Sequence, residues 1–259
     1  MMMQFKWQPR AQVVVLLMIV LSAAFTKITE LKAQTLSFFS ESVPSRSFID
    51  PKSGEVTGWA SEAVLKMAEM ADISAKTVIA PWARSYQAVR TDPNSCIYLI
   101  TRTSEREESF HWVGPLMTTD WTFFAKSSSN IIAHSMADIE HLSIGVYRND
   151  VRHSYLEKEG YKNLLVMPER KLGPNLLFSG RIDLWFDSYY GIDSLVAKKR
   201  KHQITPVLTV QRPSLWLGCN RQIDQKVAIR LSKAATKLHK DGYIARLRDE
   251  FENNAPLTQ

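Results

Sequence analysis

The sequence predicts an α/β fold, because strand-like and helix-like segments alternate along most of the chain. Short apolar runs that suit buried strands are separated by segments whose apolar residues recur at helical spacing. Glycine, proline, asparagine and aspartate mark many of the joins between them. Alternation of this kind favours a mostly parallel sheet with helices packed on it. With 259 residues, the chain has room for one large domain or two small lobes.

The strands are predicted from short runs of apolar residues, many of them β-branched or aromatic. They are expected at residues 35–40, 76–80, 96–100, 120–125, 142–146, 163–167, 183–186, 204–210 and 214–219. The run at residues 96–100 (CIYLI) has no charged residue, which indicates a buried strand.

The helices are predicted from helical spacing together with start and stop signals. They are expected directly after Pro81 and at residues 61–71, 151–160, 174–180, 188–199, 222–239 and 243–251. A proline suits the first turn of a helix, and a glycine suits its end. The segment at residues 222–239 shows the most regular apolar spacing and therefore predicts the clearest helix.

Residues 1–33 are predicted to be a cleaved secretory signal. Lys6 and Arg10 precede a stretch that is apolar almost throughout (AQVVVLLMIVLSAAF) and short for a membrane span. Cleavage is expected after Ala33, directly before the first strand, with Ala24 as the alternative site. An uncleaved N-terminal anchor is the other interpretation. Export to the periplasm follows from the first interpretation.

The positive charge of the chain does not indicate nucleic-acid binding. Of the formal net charge of +7, residues 1–33 contribute +3, which leaves +4 spread over the remainder. The basic run at residues 198–201 is expected to be the solvated end of a helix, where cations suit the helix dipole.

Cys96 and Cys219 are the two cysteines of the chain, and export permits one disulfide. Each lies in an apolar run that reads as a core strand, where free buried thiols are common. We therefore favour the interpretation that the two are unpaired.

Residues 101–115 (TRTSEREESFHWVGP) follow the buried strand at 96–100 and are the segment richest in chemical signals. Ser104 and Glu107 have the spacing of a capping box, which predicts a short helix. Arg106 then lies in its first turn, just beyond the end of a strand, where ligands bind in open α/β sheets. Gly114 and Pro115 predict a turn that ends the segment. Arg106 is therefore predicted to be a fixed cation that binds a small carboxylate.

Enzyme signatures are thin in the sequence. There is no Gly-x-Ser-x-Gly motif and no phosphate-binding glycine-rich loop. No two histidines have metal-motif spacing. We therefore expect no cofactor, no metal and no catalytic residue.

Several segments, taken in order, resemble the family-3 bacterial extracellular solute-binding proteins, the periplasmic receptors of polar amino acid ABC transporters. They are ITRTSER at residues 100–106, FHWVGP at 110–115, LSIGV at 142–146, GRIDLWF at 180–186, and LWLGC at 215–219 with the helix that follows it. The resemblance covers essentially the whole mature chain. It implies a two-lobed periplasmic-binding-protein fold of type II, with two hinge strands and a ligand cleft between the lobes. Lobe 1 would comprise residues 34–119 and 213–259, and lobe 2 residues 120–212.

Four candidate ligand-binding residues follow from the resemblance on the carboxylate side. It implies that Arg106 pairs with the ligand α-carboxylate through two charge-assisted hydrogen bonds, and that Thr101 adds a hydroxyl contact. Backbone amides at Asn149 and Asp150 would face the ligand from lobe 2, at the start of a helix. Asp150 departs from the family, because an anion beside a carboxylate is unfavourable, and its alternative role is to cap its helix.

Four further candidates concern the rest of the ligand. The amine-binding aspartate of many relatives falls on Ser188 here, so either Asp187 takes that role with a one-residue shift or the ligand lacks an ordinary α-amine. Trp82 is expected to form an apolar wall, since pockets are lined mainly by apolar and aromatic groups. Glu41 follows the first strand and is a candidate to bind a cationic or hydroxyl group, with an exposed loop acid as the alternative.

Other arginines and tryptophans leave alternatives open. Arg106 has a surface alternative, which is pairing with Glu105 or Glu108. Arg84 and Arg102 either bind a second acid group or pair at the surface. Trp59 and Trp121 are further candidates for apolar walls, with Trp121 placed at the hinge.

The leading hypothesis is a periplasmic solute-binding protein for a small polar carboxylate, an amino acid or a derivative. Its partners would be that ligand and an inner-membrane ABC permease or a sensor, and the protein is expected to be a monomer. An enzyme on the same scaffold, such as a dehydratase using Glu41 and Asp187, is the second hypothesis. A ligand-free interaction protein is the third, suggested by departures from the family pattern at Leu99, Asp150 and Ser188.

Overall fold

The computed structural model describes residues 35–253, which contain twelve strands and seven α-helices. The strands are β1 (Leu36–Ser40), β2 (Phe48–Ile49), β3 (Val56–Thr57), β4 (Ala75–Ile79), β5 (Ser95–Thr101), β6 (Phe110–Thr118), β7 (Trp121–Lys126), β8 (Ile144–Tyr147), β9 (Leu164–Met167), β10 (Leu184–Asp187), β11 (Ile204–Gln211) and β12 (Ser214–Asn220). The helices are α1 (Trp59–Met70), α2 (Trp82–Thr91), α3 (Val151–Lys158), α4 (Gly173–Phe178), α5 (Tyr189–Leu195), α6 (Gln225–Lys240) and α7 (Tyr243–Asn253).

Ten of the strands form two five-stranded sheets, in the orders β4-β1-β5-β12-β6 and β11-β7-β10-β8-β9. Parallel pairs join β1 to β4 and β5, and β8 to β9 and β10. Antiparallel pairs join β12 to β5 and β6, and β7 to β10 and β11. The α/β class is confirmed, but the expectation of a mostly parallel sheet is wrong. Each sheet is mixed because it receives a strand that arrives from the other sheet and runs antiparallel to its neighbours.

The chain passes between the two sheets twice, from β6 to β7 and from β11 to β12. The crossing segments lie side by side, since the amide of Thr119 donates to the carbonyl oxygen of Pro213 at 2.9 Å. This is the two-lobed fold with two hinge segments that the resemblance implied.

Each sheet has its own apolar core. Helices α1, α6 and α7 pack on one face of the first sheet, and α2 packs on the other. In α6 the buried face comprises Ala228, Leu231, Ala234, Ala235 and Leu238, at the helical spacing that predicted this element. The second sheet is centred on stacked rings of Phe123 and Phe186, whose centroids are 4.1 Å apart.

Cys96 and Cys219 form a disulfide, so the interpretation of two unpaired thiols is wrong. Both cysteines do lie in buried strands, as the sequence indicated. They are direct partners in the antiparallel register of β5 with β12, which brings the sulfur atoms together. That register joins positions 123 residues apart, and local apolar patterns carry no information on it.

Three local predictions need correction. The segment after β5 is a 3-10 helix (Ser104–Ser109) without a side-chain cap, so the predicted capping box is not formed. Gly114 and Pro115 lie inside β6 and do not end the segment in a turn. The helix expected at residues 188–199 ends at Leu195, because the chain becomes extended at the buried Val196. The basic run that follows belongs to a separate 3-10 helix (Lys198–Gln203).

Within residues 35–253, no helix combines the length and the apolar composition that crossing a membrane requires. The predicted signal at residues 1–33, with both candidate cleavage sites, lies outside the described residues.

Candidate ligand-binding site

A cleft between the two sheets holds a cavity of about 80 Å³ that opens to solvent. Residues of the first sheet and its connections form one side, and residues of the second sheet and its helices form the other. Its wall includes Glu41, Arg46, Trp82, Leu99, Thr101, Arg106, Trp121, Asp150, Arg152, Arg170 and Ser188. Six of the eight predicted ligand-binding residues therefore line one cavity. The other two, Asn149 and Asp187, do not line it.

Arg106 projects into this cleft from the 3-10 helix after β5. Its Nη1 donates a hydrogen bond to the carbonyl oxygen of Thr101 at 3.2 Å. Its guanidinium carbon lies 5.7 Å from the ring centre of Trp82 and 5.4 Å from that of Tyr86, within the range of cation–π attraction. Burial lowers the pKa of Arg106 from its ordinary value. The fold thus holds a partly buried cation at a defined place.

The surface alternative for Arg106 is not formed among residues 35–253. Glu105 pairs with Lys158 of α3 at 3.5 Å, and Glu108 pairs with Arg221 at 3.6 Å. Arg106 has no carboxylate within 4 Å in this part of the chain.

Leu99 lines the cleft with a left-handed backbone, at φ 61°. The pairing of β5 with β12 skips this residue, which forms a β-bulge. Bulges and left-handed non-glycine residues are concentrated at functional sites, because they redirect the chain at an energetic cost. The bulge places Leu99 and Thr101 on the wall of the same cavity.

A buried arginine, Arg152, and a partly buried one, Arg170, share the carboxylate of Asp187 beneath the cleft. Arg152 Nη1 donates to Asp187 Oδ1 at 2.9 Å, and Arg170 Nε donates to Asp187 Oδ2 at 2.8 Å. A second bond runs from Arg170 Nη2 to Oδ1, and the Ser188 amide donates to the same oxygen at 2.7 Å. Burial alone would raise the pKa of Asp187, but the two guanidinium groups outweigh it and hold that pKa at about 2.

Asp150 combines the capping role considered for it with an ion pair. Its Oδ1 accepts hydrogen bonds from the Arg152 backbone amide and from Arg152 Nε, each at 2.8 Å. Its Oδ2 accepts from Arg152 Nη2 at 2.9 Å. Burial opposes ionisation of Asp150, yet these contacts keep its pKa below the ordinary value. The unfavourable charge of this carboxylate beside an anionic ligand is therefore offset by Arg152.

Ser188 and Asn149 have local structural roles. The Ser188 hydroxyl accepts from the Gly191 amide at 3.1 Å and caps the start of α5. Asn149 has a left-handed backbone, at φ 60°, directly before the cap of α3. Ser188 also reaches the cleft wall.

Glu41 lies on the cleft wall directly after β1 and is partly buried. Burial raises its pKa to about 7, and the nearby Arg170 only partly offsets that effect. A carboxyl group with this pKa exchanges between its protonated and ionised forms near neutral pH.

Arg46, Arg152 and Arg170 are cleft residues that sequence reasoning missed. Arg46 is 6% exposed, and its guanidinium carbon lies 3.1 Å from the ring centre of Tyr190. Burial lowers the pKa of Arg46 to about 10. Only the position of Arg152, two residues after a helix cap, carried a local signal. Arg46 lies in a turn and Arg170 begins a short 3-10 helix (Arg170–Leu172), and neither position has a recognisable motif.

The remaining candidates lie in the cleft, in the core of the first sheet or at the surface. Trp121 joins Trp82 on the cleft wall, whereas Trp59 is fully buried in the core of the first sheet. Arg102 pairs with Glu107 at the surface, and Arg84 is exposed and does not line the cleft. No group of three or more histidine, cysteine, aspartate or glutamate side chains within residues 35–253 is arranged to hold a metal ion.

The family model described as bacterial extracellular solute-binding proteins, family 3, matches residues 38–254. No curated protein sequence matches the chain.

Solved structures match the chain over most of its length. One is a histidine kinase sensor domain with similarity to periplasmic binding proteins, at 19% identity and TM-score 0.75, covering 84% of this chain and 96% of that one. Another is ArtJ, the arginine-, lysine-, histidine-binding protein from Geobacillus stearothermophilus. It matches at 12% identity and TM-score 0.72, over 86% of this chain and 97% of that one. A third is AncCDT-1, an ancestral amino acid-binding protein and precursor of cyclohexadienyl dehydratase. It matches at 16% identity and TM-score 0.69, over 85% of this chain and 95% of that one. At these identities the likeness shows a shared fold.

Proposed function

The chain belongs to the bacterial extracellular solute-binding proteins, family 3, and from this premise we propose that it captures a small polar carboxylate, an amino acid or a derivative of one, in the inter-lobe cleft. The observation that carries the proposal is the guanidinium of Arg106. It is partly buried on the cleft wall, held by the Thr101 carbonyl and by two aromatic rings, and has no carboxylate partner among the described residues. A carboxylate on the ligand would supply the missing counterion.

Binding would draw the two lobes together. We propose that residues 34–119 with 213–259 form one lobe and residues 120–212 the other. A ligand between them contacts both lobes only when the cleft is closed, so its binding shifts the population towards that state. Side chains from both sheets line the cavity, which supports this mechanism.

The proposed location is the periplasm, after cleavage of the signal at residues 1–33. The proposed partners are an inner-membrane ABC permease or a membrane sensor, to which the closed, ligand-bound monomer would dock. Solved structures with this fold include an amino acid ABC transporter substrate-binding protein and a histidine kinase sensor domain, so the fold serves in both settings.

The test begins with a thermal-shift screen of amino acids, organic acids and polyamines, because a tight ligand raises the melting temperature by mass action. Calorimetry with the strongest carboxylate hit then compares Arg106→Ala with the wild type. We expect affinity to fall about 30- to 1000-fold, which corresponds to about 2–4 kcal/mol for a charged hydrogen-bonded pair.

Arg84→Ala is the matched control, because Arg84 is an exposed arginine near the cleft that does not line it. The affinity of this variant for the same ligand should stay within about twofold of the wild type, as expected for a surface change that touches no binding residue. Equal affinity of Arg106→Ala and the wild type for the true ligand would refute the role of Arg106.

A second candidate function is a periplasmic enzyme of the dehydratase kind, and one observation favours it. Glu41 has a pKa of about 7 and faces the cleft, as a general acid or base requires. Asp187 is unsuited to proton transfer, because two arginines hold it ionised. Nuclear magnetic resonance of bound acids after prolonged incubation separates the two functions, since a receptor returns its ligand unchanged.

The third hypothesis, a ligand-free interaction protein, makes the opposite prediction in the same screen. It predicts no thermal shift across a broad library, although the cleft residues fold normally. The departures at Leu99, Asp150 and Ser188 have structural explanations in the bulge, the capping ion pair and the cap of α5. These explanations remove the argument that the departures mark a decayed site.

A further inference from the structure

The charges around the cleft do not balance among the described residues. The guanidinium groups of Arg46, Arg106, Arg152 and Arg170 lie on its wall. Against these four cations stand two ionised carboxylates, Asp150 on the wall and Asp187 beneath it. Glu41 adds at most one further negative charge, and burial, which raises its pKa to about 7, opposes that charge. The cleft therefore keeps an excess of between one and two positive charges.

Arg152 and Arg170 do not account for this excess, because each has a carboxylate partner. Arg152 bonds both Asp150 and Asp187, and Arg170 bonds Asp187 through two nitrogen atoms. The excess thus resides on Arg46 and Arg106.

Arg46 is the more deeply buried of these two cations. No carboxylate within residues 35–253 approaches it to 4 Å, and its Nε is buried without a hydrogen-bond partner. A buried cation without a counterion is costly. The ring of Tyr190 offsets only part of that cost, since a cation–π contact contributes less than a charged pair.

The position of Arg46 is set by its backbone. Its carbonyl oxygen accepts hydrogen bonds from the amides of Ala60 and Ser61, at 3.0 and 3.3 Å, at the start of α1. Gly58 packs against it so closely that an added Cβ would lie 2.5 Å from the Arg46 carbonyl carbon. The guanidinium is therefore presented to the cleft by a fixed turn.

The same surroundings offer no free carboxylate to an ammonium group. The Asp187 oxygens accept four charged or backbone hydrogen bonds from Arg152, Arg170 and Ser188. Both oxygens of Asp150 are engaged by Arg152. Of the described carboxylates on the wall, Glu41 is the one left, and burial opposes its ionisation. A ligand ammonium would add a further positive charge to a cleft that is already positive.

We propose that the ligand is a small acid with two anionic groups and no ammonium group, and that Arg106 binds one anionic group while Arg46 binds the other. This inference rests on the proposed function, because it narrows the small polar carboxylate of the same cleft to a derivative that lacks the amine of an amino acid. Two anionic groups would supply counterions to both unpaired cations and bring the cleft close to neutrality.

Four five-carbon acids separate the two features in a factorial test. Pentanoate has one acid group, norvaline adds an amine, glutarate adds a second acid group, and glutamate has both additions. Butyrate, 2-aminobutyrate, succinate and aspartate repeat the design with four carbons. Calorimetry, with competition measurements for weak ligands, gives each affinity. We expect the second acid group to strengthen binding about 10- to 150-fold in at least one series, and the amine to weaken it.

Arg46→Met identifies the residue responsible. In this variant the advantage of the diacid over the monoacid should disappear, whereas Arg84→Met, at an exposed arginine that does not line the cleft, should keep that advantage. Arg106→Met should weaken every member of the series. The ligand-free Arg46→Met protein should melt no lower than the wild type, because an unpaired buried charge has been removed, whereas a merely structural arginine would lower the melting temperature.

The outcomes distinguish this inference from the proposed function. Norvaline or pentanoate binding as tightly as glutarate, with the corresponding result at four carbons, would overturn the two-acid inference and leave a carboxylate receptor intact. An unchanged diacid advantage in Arg46→Met would also overturn it. Failure of all eight acids to bind would count against both the inference and the proposed function.

Discussion

Replacing Asp187 with asparagine should destabilise the ligand-free protein by about 3–5 kcal/mol at pH 7, the range measured when one partner of a buried ion pair is removed. The side chain is 1% exposed and is shared by Arg152 and Arg170. Asparagine keeps the size of aspartate but leaves the two guanidinium groups facing each other without their common counterion. The carboxylate of Asp150 would then have to neutralise the positive charges of both arginines.

The pKa of Asp187 provides a second route to the magnitude. A folded-state pKa of about 2, against an ordinary value of 3.8, corresponds to about 2 kcal/mol of stability. Since this pKa is depressed, the contribution is present above pH 3.8 and is lost as the pH falls towards 2. The stability difference between the wild type and Asp187→Asn should therefore narrow by about 1 kcal/mol between pH 5 and pH 3.

The assay is urea and thermal unfolding of ligand-free protein at several pH values. A loss of 3–5 kcal/mol should lower the melting temperature by about 6–20 °C in a protein of this size. Asp193→Asn is the matched control, because Asp193 lies in α5 of the same lobe and forms only an exposed pair with Lys201. Its melting temperature should change by about 2 °C or less.

A melting temperature for Asp187→Asn equal to that of the Asp193→Asn control would refute the structural role. If Asp187 instead bound a ligand amine, the variant would keep its stability and lose affinity for amino acids. The two measurements therefore separate an internal counterion from a ligand contact.

Three further predictions concern other parts of the molecule. Gly191→Ala should destabilise the protein, because the added methyl carbon would lie 2.5 Å from the Asp187 carboxyl carbon, and this outweighs the preference of about 1 kcal/mol that alanine has over glycine in a helix. A melting temperature equal to or above that of the wild type would contradict this. Reduction of the disulfide between Cys96 and Cys219 should lower the free energy of unfolding by about 4–5 kcal/mol, since the bond closes a loop of 123 residues. Equal melting temperatures with and without dithiothreitol, in samples whose free thiols have been verified, would contradict this stabilisation. Affinity for an acid ligand should fall about three- to tenfold as the pH rises from 6 to 8, because burial raises the pKa of Glu41 to about 7 and its ionisation adds a negative charge to the cleft. Calorimetry of Glu41→Gln should show no such dependence of affinity on pH, and a dependence equal to that of the wild type would contradict the role of Glu41.

The local pattern of residues predicted most of the secondary structure correctly. The apolar spacing at residues 222–239 corresponds to α6, and the apolar run at residues 96–100 corresponds to β5. Arg106 was predicted beyond the end of that strand and does line the cleft. These predictions succeeded because side-chain periodicity and strand ends are properties of one continuous segment.

The errors and omissions concern contacts between distant segments. Arg152 and Arg170 are separated from Asp187 by 35 and 17 residues, and Arg46 meets the ring of Tyr190 across the interface of the two sheets. No spacing rule links such positions. For the same reason, the second cation of the cleft is Arg46, whereas the sequence suggested Arg84 or Arg102 for a second acid group.

Patterns within single segments were enough to predict the α/β class, the resemblance to a two-lobed receptor family, and one arginine at the end of a strand. The folded arrangement sets which cleft cations have counterions among residues 35–253. Charge balance inside a cleft depends on distances and burial across several elements, because an ion pair is strong only where two side chains meet away from water. Those distances are set by how the two sheets and their helices pack together.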